Sequence, residues 1–168
     1  MLGAGAVIFA SVGSMLPFDR FVRGVDDWAA ANPDTPVFLQ IGEGAYEPRH
    51  CPWARIVAHA EYRRRLAECT LFVAHVGMGS ILQALEARKQ MLLMPRQASL
   101  REHTTEHQLH TADRFRDTPG LLIVDDVPAM QREMSRLVTT PMAGSAGIPR
   151  FAPEAMTTRV AAFLRAGR

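Results

Sequence analysis

Two cysteines, Cys51 and Cys69, are all that the 168-residue chain carries. They lack the CxxC spacing of a redox or zinc site and are too few for a disulfide-stapled secreted scaffold, so both are expected to be reduced thiols of a cytoplasmic protein. Long apolar runs are missing too. No segment reaches the about 20 consecutive apolar residues that cross a bilayer, so any membrane contact must come through a surface or a partner. The apolar start, Met1 to Val12, has no basic n-region and runs into a Gly-Ser turn, which reads as a buried first strand and not a signal peptide. Charge of one sign is also scarce. A formal net charge of +2 calls for no nucleic-acid partner, and the local run Arg63-Arg64-Arg65 reads as a solvated helix face. Internal repeats and low-complexity tracts are absent.

What is present is the composition of an ordinary globular domain, 48% apolar and 21% charged, with a length that buries one sizeable core. Strand-length apolar runs recur at Ala6 to Ala10, Val37 to Ile41, Ile56 to Ala58, Leu71 to Ala74, Met91 to Met94 and Leu121 to Val124. They are continuous and not alternating, as parallel strands covered on both faces require. Helical stripes separate them: Phe18, Phe21, Val22, Val25, Trp28 and Ala29 behind Pro17; Tyr62, Leu66 and Cys69; Ile81, Leu82 and Leu85; Leu109, Ala112 and Phe115; then Met130, Met134, Leu137 and Val138 behind an Asp126 cap. The alternation predicts an α/β fold, a single Rossmann-like domain with a six-stranded parallel sheet over residues 1–138. Residues 139–152, with Pro141, Gly144, Gly147 and Pro149, read as a linker, and residues 153–168 as a C-terminal amphipathic helix. Met156, Val160, Phe163 and Leu164 of that helix can pack on its own sheet or on a partner, and periodicity alone does not choose.

Ligands of open parallel sheets bind beyond the carboxyl ends of the strands, so the turns there carry the chemistry. Gly13-Ser14 follows the first strand. His75-Val76-Gly77-Met78-Gly79-Ser80-Ile81-Leu82-Gln83 follows the fourth and opens a helix, whose free N–H groups and dipole favour an anion. Leu82 stands where a dinucleotide fingerprint needs its third glycine, which weakens a dehydrogenase reading. The plainer reading of Ser80 and Gln83 is a capping box, and that of His75 a core histidine bonded to a neighbouring strand. After the fifth strand come Pro95 and Arg96, then the polar stretch Glu102 to Gln108, suited to sugar hydroxyls. His103, Glu106 and His107 also spell the HxxEH pattern of a class of zinc peptidases, with both histidines expected on one helix face.

The string from His75 to Arg96, followed by Glu106-His107-Gln108-Leu109 and preceded by the opening Ser11 to Ala29, resembles the C-terminal domain of family 28 glycosyltransferases, in its stand-alone subunit form. The resemblance runs from Val7 to about Val124. It implies half of a GT-B fold, no cofactor and no metal, in keeping with the absence of an Asp-x-Asp pair. It further implies a UDP-sugar donor, a membrane-anchored acceptor-binding subunit at the cytoplasmic membrane face, and a polyprenyl-linked acceptor reached through that partner, as in polysaccharide or glycolipid synthesis. Residue by residue, His75, Gly77, Met78, Gly79 and Ser80 would hold the donor diphosphate. Gln83 stands where the family usually has a ribose-binding glutamate, His107 and Gln108 match the pair on the sugar ring, and Gly13 and Ser14 match the loop facing the interdomain cleft. His75 and Arg96 would be the catalytic residues, Arg96 by neutralising the leaving group, although an exposed arginine is its plainer reading. A binding or assembly subunit without turnover is the alternative of a different class, and self-association of the isolated chain is left open.

Overall fold

The computed structural model of the chain describes residues 6–144, 147 and 152–166. Six parallel strands, β1 (Ile8–Ser11), β2 (Val37–Gln40), β3 (Trp53–Ala54), β4 (Leu71–His75), β5 (Met91–Met94) and β6 (Leu121–Ile123), form one sheet in the order β3-β2-β1-β4-β5-β6. Among the described residues six α-helices accompany them: α1 (Asp19–Ala31), α2 (His59–Glu68), α3 (Met78–Glu86), α4 (His107–Phe115), α5 (Val127–Thr139) and α6 (Glu154–Ala166). The fold is therefore the expected single Rossmann-like α/β domain.

Strand sequences are continuously apolar because both faces of the sheet are covered. Ile8, Ala10, Leu71, Val73, Leu92 and Met94 turn to one side, where Phe21, Val22, Val25 of α1 and Met130, Met134, Leu137 of α5 complete the core. Phe9, Phe72, Ala74, Met91 and Leu93 turn to the other, against Tyr62 and Leu66 of α2, Ile81 and Leu85 of α3 and Ala112 of α4. Each large side chain withdrawn from water contributes about 1.5–3 kcal/mol. The Asp126 cap forms as expected, its carboxylate accepting the Ala129 N–H at 2.7 Å.

Three local expectations are corrected. The third strand is not Ile56 to Ala58 but the two-residue Trp53–Ala54, paired to Leu39 and Gln40. Beyond it the Gln40 side chain accepts the Val57 N–H at 3.1 Å, which draws the chain off the ladder and leaves Ile56 exposed. Leu82 is exposed while Ile81 and Leu85 are buried, so the inner stripe of α3 is narrower than the periodicity implied. In α4 the inward residues are Gln108, Thr111 and Ala112, with Leu109 half-buried. Pro17 precedes α1, whose N-cap is Phe18.

Cys51 and Cys69 are free and buried, and burial pushes their thiols up to about 12 and about 11, so they stay protonated. Arg64 is paired with Glu61 and Glu68 on its own helix, as a solvated face would have it. Among the described residues no helix is long and apolar enough to cross a membrane. Helix α6 buries none of its side chains, and Met156, Val160, Phe163 and Leu164 are all exposed. Pro149 of the expected linker and the ends of the chain, residues 1–5 and 167–168, lie outside the described residues.

Candidate functional site

The strand order reverses direction between β1 and β4, and two neighbouring strands whose connections run to opposite sides leave a crevice at their carboxyl ends. A cavity of about 820 Å³ opens there. One wall is the loop after β1, with Gly13 and Ser14; the floor is the turn after β4 and the start of α3; the far wall is His103, His107 and Gln108; and Arg96 lies beneath. Every residue expected to touch a donor, Gly13, Ser14, His75, Gly77, Met78, Gly79, Ser80, Gln83, Arg96, His107 and Gln108, lines this one cavity.

Helix α3 begins without a side-chain cap. Its N-cap is Gly77, in extended backbone at φ −104° and ψ 130°, and the first intrahelical bond is Ile81 N–H to the Gly77 carbonyl at 3.0 Å. The N–H groups of Met78, Gly79 and Ser80 consequently have no helical acceptor, and they stand at the positive end of the helix dipole. Apart from its chain neighbours and its own helix backbone, nothing among the described residues lies within 4 Å of where a β-carbon on Gly79 would be, so the approach to these amides is open. The expected Ser80–Gln83 capping box does not exist, because Ser80 is already the third residue of the helix. Gln83 instead has a buried Oε1 with no hydrogen-bond partner among the described residues.

His75 is 9% exposed and its ring fills the gap between two glycines. A β-carbon on Gly13, whose φ is +78°, would stand 2.7 Å from Cε1, and one on Gly77 would collide with the same ring. Nδ1 lies 3.5 Å from the Ser11 carbonyl, which can only accept, so this nitrogen carries the proton and Nε2 keeps its lone pair. Burial, helped by the charge of Arg96, pushes the imidazole pKa down to about 4 against the pull of that carbonyl. At neutral pH His75 is uncharged. The reading of a core histidine bonded across to a neighbouring strand is correct, and the ring reaches the cavity as well.

Arg96 overturns its plainer reading, for it is 3% exposed. Its guanidinium donates to the carbonyls of Val12 at 2.8 Å, Leu16 at 2.5 Å and Pro17 at 3.4 Å. Its backbone N–H donates to Gln108 Oε1 at 3.0 Å, which orients that amide. Burial lowers its pKa to about 10, opposed by Glu102, and leaves it charged at neutral pH.

The zinc pattern dissolves in three dimensions. Helix α4 starts at His107, so His103 lies before it and the two histidines share no helix face. Glu106 is occupied in holding the N–H groups of Ala98 and Ser99, at 3.1 and 3.3 Å. Among the described residues no three His, Cys, Asp or Glu side chains stand close enough to share a metal. Conversely, the wall made by Ile56, Val57, His59 and Tyr62 was not singled out from sequence; the available signal was that these residues leave a strand at the ligand-binding edge.

Residues 7–118 match the glycosyltransferase family 28 C-terminal domain. The chain belongs to that family. Among solved structures it is similar to the glycotransferase of kitacinnamycin (23% identity, TM-score 0.64, 83% of this chain and 36% of that one). It is similar as well to ALG13 (13% identity, TM-score 0.58, 93% and 94%). A third likeness is to UDP-GlcNAc 2-epimerase from Neisseria meningitidis bound to UDP-GlcNAc (10% identity, TM-score 0.64, 96% and 45%). No curated protein sequence matches it. These likenesses are of fold, that of half a GT-B glycosyltransferase, and the chain spans about a third of the length of the kitacinnamycin enzyme.

Proposed function

We propose that this family 28 domain is the donor-binding catalytic subunit of a two-component glycosyltransferase, moving a sugar from a UDP-sugar to a polyprenyl-linked acceptor. The observation that carries the reading is the bare start of α3 in the cavity: three N–H groups without acceptors, an open approach at Gly79 and a helix dipole aimed at the same point. A diphosphate fits that chemistry, and the likeness to an epimerase bound to UDP-GlcNAc supports a uridine nucleotide there. Gln83 Oε1 would accept from a ribose hydroxyl, and His107 and Gln108 would meet the sugar.

Transfer then relies on position and on stabilising the departing nucleoside diphosphate with backbone donors and the helix dipole. His75, being neutral, contributes a hydrogen-bond acceptor or shape at that point and no positive charge. The acceptor and general base would come from a membrane-anchored partner at the cytoplasmic face. Two features suit such a partner: the likeness to ALG13 over nearly the whole of both chains, and the uncovered apolar face of α6, with Met156, Phe163 and Leu164. Titrating the chain with UDP-GlcNAc, UDP-glucose, UDP-glucuronate and UDP tests donor binding. Mixing it with membranes that carry the candidate partner and following labelled sugar tests turnover. Donor binding with activity only in the mixture is the expected result; binding with no transfer in any mixture would favour an assembly subunit.

A further inference from the structure

We propose that Arg96 is a positioning residue: with the reciprocal Arg20–Glu102 ion pair it clasps the β1–α1 loop to the β5–α4 loop, and so fixes the wall of the donor cavity. The inference rests on the donor-pocket reading of that cavity. Two loops are tied in both directions. From the end of β5, the Arg96 guanidinium reaches the carbonyls of Val12, Leu16 and Pro17 and packs over the Phe18 ring, 5.0 Å from its centroid. From the first turn of α1, Arg20 sends a two-pronged bond back to Glu102, at 2.7 and 2.9 Å. Glu102 at the same time accepts the Gln97 N–H at 3.1 Å, so the ion pair holds the loop after β5 by its backbone.

A buried guanidinium is costly unless its donors are met. Here carbonyls of one short loop meet those of Nε and Nη2, so that loop cannot shift without leaving buried donors unmet. The loop carries Gly13, whose contact with His75 forms the rim of the cavity, while the Arg96 backbone orients Gln108 on the opposite wall. With Nε and Nη2 committed to carbonyls, the guanidinium acts on the donor through the loop. Lysine cannot replace it, because a single ammonium has no planar fork with which to reach three carbonyls at once.

Arg96→Lys in the full chain tests this. Expected are faster amide hydrogen exchange in peptides covering residues 12–18 with the rest of the sheet unchanged, and UDP affinity weakened about tenfold or more. In transfer assays with partner membranes, donor KM should rise while kcat stays within about threefold. Unchanged exchange at 12–18 would overturn the proposal, as would intact UDP affinity with kcat collapsed, the mark of a leaving-group role. A lowered thermal midpoint with KM unaltered would overturn it as well, since that is mere stability. Should Arg96→Lys fail to fold, Glu102→Ala cuts the other half of the clasp, and is expected to speed exchange at both 12–18 and 97–105; no change there refutes the clasp. A wild-type chain that binds no UDP defeats the donor reading, and the exchange data then decide the clasp by themselves.

Discussion

Gly13 and His75 are in contact across the strand-order reversal, the imidazole occupying the space that a β-carbon on Gly13 would need, 2.7 Å from Cε1. Backbone and ring form the cavity rim together, and Gly13 has the positive φ that L side chains rarely adopt. Gly13→Ala should therefore cost about 1–3 kcal/mol of stability and displace His75. Urea midpoints check it; an unchanged midpoint would show that the loop relaxes freely.

Gly79→Ala separates fold from ligand. Apart from its chain neighbours and its own helix backbone, no described atom lies within 4 Å of the added methyl, and alanine is the better helix former by about 0.5–1 kcal/mol, so stability should hold or rise. The methyl would nonetheless sit on the path of a diphosphate, and UDP binding should weaken about tenfold or more. Calorimetry beside a thermal melt reads both; unaltered binding would place the phosphates elsewhere.

The buried His75 makes stability depend on acid in a defined window. Its folded pKa, pushed down to about 4 by burial and by Arg96, lies below the ordinary 6.5. Between those values the unfolded chain takes up a proton that the folded one refuses, so the stability present above pH 6.5 is lost as pH falls toward 4, on the order of 3 kcal/mol in all. An NMR titration following the His75 ring should show no protonation down to pH 5. A midpoint near 6.5 would mean that the ring is not enclosed as described.

Gln83 has an acceptor with no partner among the described residues. Gln83→Glu should tighten UDP binding about fivefold by making the bond to ribose charge-assisted, and Gln83→Leu should weaken it. Equal affinities for all three would remove Gln83 from the ribose contact. Chelators should leave donor binding intact, since Glu106 is committed to the Ala98 and Ser99 amides.

Much of this was legible in the residues. Leu71, Val73 and their neighbours announce a doubly covered sheet because a strand buried on both faces must be apolar throughout, and the glycine-marked turns point to its carboxyl edge. What escaped depends on contacts between distant parts of the chain. The third strand was displaced because Gln40 captures the Val57 N–H, a bond that no local pattern encodes. Arg96 looked like a surface residue because the carbonyls that bury it lie about eighty positions earlier. HxxEH looked helical because its spacing is right, but α4 begins only at His107.

The most direct test is an amide NMR titration of the labelled chain with UDP, compared with uridine. UDP should move the backbone resonances of Met78, Gly79 and Ser80 most, with Gly13 close behind, and uridine should leave those four nearly still. Shifts that spare the start of α3, or none at all with UDP, would contradict diphosphate binding there.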